Sequence, residues 1–409
     1  MSIKDQLDVI EKGKVEEDKP LIGIHTGSEL LDEIIGGGGW GPIGKIVNVI
    51  SDSGVGKSFF ACEAIYQGKK IFGDKLKVRY NDAESGFNFN TEELYGYSME
   101  PHVVQTPTIE AFASDLQKFC KEVNLKKGEV GIYVVDSFDG LASDADLEEF
   151  GKRLDAHEKG KTYDKGSYDM GKQKFASKLF RTLSQTVENS NVILFIISQI
   201  RDKIGVTFGA KWSVSGGNAL KFYSTVRLFL QNVDKNIVEG RQIGSTVKCT
   251  GLKVRSKYPY RDIFVNLLYE YGIDSVSTNL DYLYDLRDEY GKLKEASVIN
   301  NIAWKDSTVE VNSQTIKDFL AEKELLDSAT EDIKNEGSRM TQKNLTEWIQ
   351  KDQNLANEFV EYFGVLDRDS LIAYVIANGL EKEIANKAVA KWLAVEERIK
   401  PVRPRKTLE

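Results

Sequence analysis

Residues 51–58, Ser-Asp-Ser-Gly-Val-Gly-Lys-Ser, bring two glycines, a lysine and several hydroxyls into one short stretch. Such a stretch can hold phosphate. Its glycines let successive backbone N–H groups converge on an anion, and a helix that starts there adds its positive end. The pattern G-x-x-x-x-G-K-[ST] is matched at Gly56, Lys57 and Ser58, while Ser51 stands where the first glycine would be. In that reading Lys57 reaches the outer phosphates of a nucleotide and Ser58 ligates Mg²⁺. The lesser alternative for the octapeptide alone is a Gly-rich strand-to-helix turn that binds nothing. Two further segments end in acids. "IYVVDS" carries Asp136, of the type that stands near Mg²⁺ at the end of a strand. "VRYNDAES" carries Asp82 and Glu84, in a place suited to a carboxylate that orients an attacking water.

These groups can meet only if strands deliver them to one edge. "KIVNVIS" (45–51), "KLKVRYND" (75–82), "GIYVVDS" (131–137) and "NVILFIISQ" (191–199) are short, apolar and β-branched. Helical stretches such as "KSFFACEAIYQGKKIF" (57–72) and "IEAFASDLQKFCKEV" (109–123) lie between them. Apolar strands separated by helices predict a parallel sheet covered on both faces, with ligands at the carboxyl ends of its strands. "STVRLFLQ", "STVKCTGLKV" and "DIFVNLLY" extend that sheet. Near Asp274 the character changes. Beyond it the chain is more charged, and "LTEWIQKDQNLANEFVEYF" has helical apolar spacing.

The chain has 409 residues, which predicts two domains with small appendages. Hydrophobic residues make up 41% and charged residues 29%, as in a soluble globular protein. No apolar run reaches the ~18 residues of a membrane span, and the polar start "MSIKDQLDVIEKGK" is no secretory signal. Cys62, Cys120 and Cys249 are widely spaced and fit no metal pattern, which suggests a reducing cytoplasm. The net charge of −8 argues against nucleic-acid binding by bulk charge, but a local basic stripe can sit on an acidic body.

"QIRDKIGVTFG" (199–209), "SGGNALKFYSTVRL" (215–228) and "YNDAES" (80–85) closely resemble signature segments of the RecA family of recombinases. The likeness spans roughly residues 20–275, and more loosely to about 365. Its imperfect first glycine and divergent end look more like a phage or plasmid member. The resemblance implies an α/β fold: a RecA-like P-loop core with a central, mostly parallel sheet, a short N-terminal helical segment and a mostly helical C-terminal domain. Residues 1–20 would serve oligomerisation, 21–274 the ATPase and DNA-binding core, 275–397 the helical domain and 398–409 a basic tail.

The resemblance also implies site residues. Ser53, Gly54, Val55, Gly56, Lys57, Ser58 and Phe59 would cradle ATP, with Ser58 and Asp136 at Mg²⁺ and Asn88 and Tyr269 at the adenine. Glu84 would activate water, and Gln199 would sense the γ-phosphate. Lys253 and Arg255 would reach the ATP of a neighbouring subunit, with Lys221 and Phe222 on the face that carries the signal. For DNA, Arg201, Lys203, Ile204, Gly205, Val206, Gly216, Gly217 and Asn218 match the second binding loop, with Ile204 as an apolar wedge between bases. Met170, Ser177 and Arg181 belong to the first loop and the helix behind it. The implied partners are single-stranded DNA, homologous duplex DNA, further copies in a helical filament, and single-strand-binding or mediator proteins. Two alternatives share the core: a hexameric helicase-like motor, and an ATP-switched accessory paralogue without strand exchange.

Overall fold

A computed structural model describes residues 23–124, 128–159, 169–202, 212–214, 217–254, 258–300, 302–303 and 311–400. The chain divides into two compact units, residues 1–275 and 276–409. The first is built on one ten-stranded sheet. Its strands are β1 (Ile46–Ser51), β2 (Leu76–Asp82), β3 (Val103–Val104), β4 (Val130–Asp136), β5 (Val192–Asp202), β6 (Trp212–Val214), β7 (Val226–Val238), β8 (Arg241–Val254), β9 (Asp262–Leu268) and β10 (Gly272–Asp274). Their order is β10-β9-β8-β7-β1-β5-β4-β2-β3, with β6 on β5. From β7 to β3 all neighbours run parallel, whereas β8, β9 and β10 follow as antiparallel ribbons. The sheet is therefore mixed, parallel where the helical crossovers lie and antiparallel where hairpins suffice.

Strand β1 is buried along its whole length, and β4 up to its last residue. Both faces are covered. Helix α1 (Lys57–Phe72) packs on one face. Helices α2 (Ile109–Asn124) and α3 (Asp169–Glu188) pack on the other around Phe112, Leu116, Phe180 and Leu183. Cys62, Cys120 and Cys249 are free and buried. Among the described residues no helix is long and apolar enough to cross a membrane.

The second unit is mostly helical, as its spacing predicts. Helices at Ser313–Glu322, Gln342–Gln350 and Gln353–Phe363 bury Phe319, Leu345, Phe359 and Phe363 in one core. Asp281 is held there by Arg287 at 2.8 Å and Arg368 at 2.6 Å. The N-terminal segment 1–20 lies outside the described residues; of the basic tail, only 398–400 lie within them.

Candidate active site

The phosphate-type loop joins the end of β1 to the start of α1. Gly54 (φ 72°) and Gly56 (φ 103°) occupy the left-handed region that side chains disfavour. A Cβ on Gly56 would also come within 2.7 Å of Leu267 Cδ2. Ser51 needs no such freedom. It is the last residue of β1, paired in register with Gln199 of β5, and its hydroxyl accepts from Lys57 Nζ at 3.2 Å. The departure from the glycine pattern therefore falls where the backbone is ordinary strand. Lys57 Nζ also donates to the Asp52 carbonyl at 2.6 Å. Burial holds the Lys57 ammonium below its ordinary pKa, against the opposing pull of Asp136 and Glu84. The first N–H groups of α1, from Lys57 to Phe59, have no partner within the helix and can serve an anion.

Parallel pairing brings the acids to the same edge, with Asp82 of β2 level with Asp136 of β4. Ser58 Oγ donates to Asp136 Oδ2 at 2.6 Å, and so does Tyr80 OH at 2.5 Å. Burial raises the pKa of Asp136, while these two hydroxyls oppose the rise. Ser58 and Asp136 are hard oxygen donors. Among the described residues no cluster of three or more His, Cys, Asp or Glu side chains could hold a metal alone. Two oxygens beside a phosphate loop fit Mg²⁺, which keeps waters and takes further ligands from substrate phosphates.

Asp82 and Glu84, two carboxylates at and just after the end of β2, have different surroundings. Asp82 is buried and accepts from the backbone N–H groups of Gly86 and Phe87 at 3.0 Å each, so it shapes the loop after β2. Glu84 faces solvent at the mouth of the site. It accepts from Gln199 Nε2 at 3.2 and 3.3 Å and from the Ser137 hydroxyl. Replacing Glu84 with Gln leaves its size and hydrogen bonding in place but removes the basic oxygen. If Glu84 is the water-activating base that the resemblance implies, nucleotide hydrolysis should slow by about 10²-fold or more, the usual contribution of a positioned base, with nucleotide affinity within about twofold of the parent. A single-turnover hydrolysis assay beside a nucleotide titration checks this, and parental hydrolysis by Glu84→Gln would move the base elsewhere.

Asp139, which no sequence motif marks, also belongs to this edge. Its buried carboxylate accepts from the Gln199 backbone N–H at 2.8 Å and faces Arg201 Nε at 3.6 Å. It therefore clamps β5 where the strand leaves the sheet. Its one mark in the sequence is that it is an acid three residues after Asp136. The resemblance assigns Gln199 to about Gly217 to the second DNA-binding loop, but this stretch does not begin as loop. Instead β5 continues to Asp202 and pairs antiparallel with β6, Ile200 with Val214 and Asp202 with Trp212. Trp212 stacks on Phe229 of β7 at 5.3 Å, anchoring this stem.

The other expected residues fall as follows. Ser53 and Gly54 are exposed in the loop and Val55 is buried beneath it. Phe59 packs edge-on against Phe89 at 4.9 Å, next to the exposed Asn88. Tyr269 follows β9, its hydroxyl accepting from Gln242 at 2.5 Å. Met170, Ser177 and Arg181 fall in α3, and Arg181 Nε reaches Tyr223 OH at 3.5 Å. Gly217 and Asn218 open helix α4 (Gly217–Tyr223). Lys253 Nζ donates to the carbonyls of Lys221 and Phe222, at 2.7 and 2.8 Å, at the far end of α4. Phe222 is strongly exposed. Lys203, Ile204, Gly205, Val206, Gly216 and Arg255 lie outside the described residues.

Comparison with known proteins gives this geometry a relationship. The family model described as the RecA N-terminal domain matches residues 6–274. The protein RecA of Chloroherpeton thalassium is 29% identical over 305 residues, covering 74% of this chain and 77% of that one. That of Lactobacillus acidophilus is 30% identical over 269 residues, covering 66% and 68%. That of Mesoplasma florum is 28% identical over 271 residues, covering 66% and 75%.

Proposed function

Because the chain belongs to the RecA family of recombinases, we propose that it is a DNA-dependent ATPase that assembles on single-stranded DNA and exchanges it with a homologous duplex. Bound Mg²⁺ would offset charge on the β- and γ-phosphates. The remaining work falls to side chains of this protein. Lys57 and the first N–H groups of α1 grip the phosphates, Ser58 and Asp136 hold the metal side, and Glu84 takes a proton from water. Lys253 and Arg255 act on the nucleotide of the next subunit. The segment from Gln199 to Gly217, with Arg201 and Lys203 on phosphates and Ile204 between bases, holds the strand together with Met170, Ser177 and Arg181. Protein mediators and a cytoplasmic setting complete the proposal, the latter supported by three buried, unpaired cysteines.

One observation carries the reading. Gln199 bonds Glu84 through its side chain and Asp139 through its backbone, at the base of the β5–β6 stem. A γ-phosphate that drew the Gln199 amide away from Glu84 would pull on the stem of the DNA-binding segment. Hydrolysis would release that pull. Strand exchange between circular single-stranded DNA and linear duplex tests the proposal. Joint molecules should form with ATP and homologous duplex, and not with heterologous duplex or without nucleotide. ATP hydrolysis with no joint molecules would reduce the protein to a motor or an accessory factor.

A further inference from the structure

The carboxylate of Asp136 takes two hydroxyl donors on one oxygen. Ser58 comes from the phosphate loop, whereas Tyr80 comes from the interior of β2, is fully buried, and has its only polar side-chain atom on Asp136 Oδ2 at 2.5 Å. A phenylalanine would fill this core position as well, so the hydroxyl needs a reason. A carboxylate oxygen can only accept here, so the Tyr80 hydroxyl is the donor. The ring is fixed as firmly as the hydroxyl. It packs edge-on against Phe87 at 4.7 Å, Phe87 meets Phe89 at 5.8 Å, and Phe89 meets Phe59 at 4.9 Å. Phe59 follows Ser58 directly in the chain.

We propose that Tyr80 is a positioning residue for the metal side of the nucleotide site, fixing the Asp136 carboxylate where it would serve Mg²⁺. A carboxylate fixed by one donor can swing about that bond. Two donors from different elements fix its plane. Such supporting partners commonly contribute about 10–100-fold to metal affinity. The Phe59–Phe89–Phe87 contacts extend the consequence, because the wall that holds Tyr80 includes the loop bearing Asn88. The inference rests on the reading of this site as one for Mg²⁺ and ATP.

The test is Tyr80→Phe, which keeps the ring and removes the oxygen. The probe is a fluorescent, non-hydrolysable ATP analogue, titrated with Mg²⁺ at fixed nucleotide and again in EDTA. The Mg²⁺ concentration for half-maximal binding should rise about tenfold, while affinity in EDTA stays within twofold. In an Asp136→Asn background the same substitution should shift the Mg²⁺ midpoint by less than twofold, since the hydroxyl acts through that carboxylate. A general packing role would shift both backgrounds alike. An unchanged Mg²⁺ midpoint in Tyr80→Phe, or equal shifts with and without Asp136, overturns the inference. If Tyr80→Phe alone fails to fold, the Asp136→Asn, Tyr80→Phe pair against Asp136→Asn decides: a shift above twofold there overturns it, and none supports it. A parent protein that binds no nucleotide at any Mg²⁺ concentration overturns the ATPase reading, and the inference with it.

Discussion

Lys57→Ala should reduce DNA-dependent ATP hydrolysis by about 10²–10³-fold, the effect of deleting one pre-aimed charge from the place where negative charge develops. The ammonium is well placed for this. It is buried at the start of α1 and directed by Ser51 Oγ and the Asp52 carbonyl across the mouth of the loop. The same burial has an opposite effect on stability. Removing an ammonium from water costs free energy even with acids nearby, which is why the Lys57 pKa falls. Without nucleotide, a Lys57→Met protein, which keeps the length of the side chain, should therefore melt no lower than the parent. The sign with pH follows. The folded pKa lies below the ordinary 10.5, so the cost of burying the charge is fully present below the folded value. It disappears as pH rises from the folded value to the unfolded one. The parent should gain on Lys57→Met over that interval. Turnover at fixed DNA, with thermal melts across alkaline pH, measures both effects. Full DNA-stimulated turnover by Lys57→Ala would remove this loop from the mechanism.

The contrast between Lys57 and its surroundings shows what was legible in the sequence. Strands β1, β4 and β5 could be read because a parallel strand buried on both faces is a nearly continuous apolar run, and β2 because Leu76, Val78 and Tyr80 alternate with partly exposed Lys77 and Arg79. Where such a run ends, the chain emerges at the ligand edge, so Asp136 and Gln199 could be placed on that edge. Other residues depend on register. Asp82 and Glu84 are both carboxylates two residues apart, yet one is tied to backbone N–H groups and the other faces Gln199. Asp139 acquires meaning only beside the backbone of Gln199, 60 residues further along the chain. Strand β6 has three residues, too few for any periodicity, and exists because β5 offers it an edge. Tyr80 reads as one more core aromatic in an apolar strand. Only its contact with Asp136 across the sheet distinguishes its hydroxyl from spare volume.

A mixture of two inactive variants should recover activity. Lys57→Ala damages the phosphate loop on one face of the ATP site. Lys253→Ala combined with Arg255→Ala damages the cationic face, which the proposed assembly brings from the next subunit. Lys253 suits this role, since its exposed ammonium lies at the end of α4 beside the exposed Phe222, on carbonyls that fix where it projects. In a head-to-tail assembly each contact uses two different surfaces. Every contact in either variant alone therefore carries one damaged face, and each protein alone should show little DNA-dependent turnover. With equal random mixing, roughly a quarter of contacts join the intact loop of one variant to the intact cations of the other. About that fraction of parental activity should return, rising and falling with the mixing ratio and greatest near equal amounts. The measurement is made at fixed total protein and saturating single-stranded DNA, after each variant is shown to fold and to join assemblies with the parent. Co-assembly without recovered turnover at any ratio would mean that Lys253 and Arg255 serve the site of their own subunit. The Lys253 bonds to the end of α4 would then be a local helix cap, and the shared nucleotide site would lose its main support.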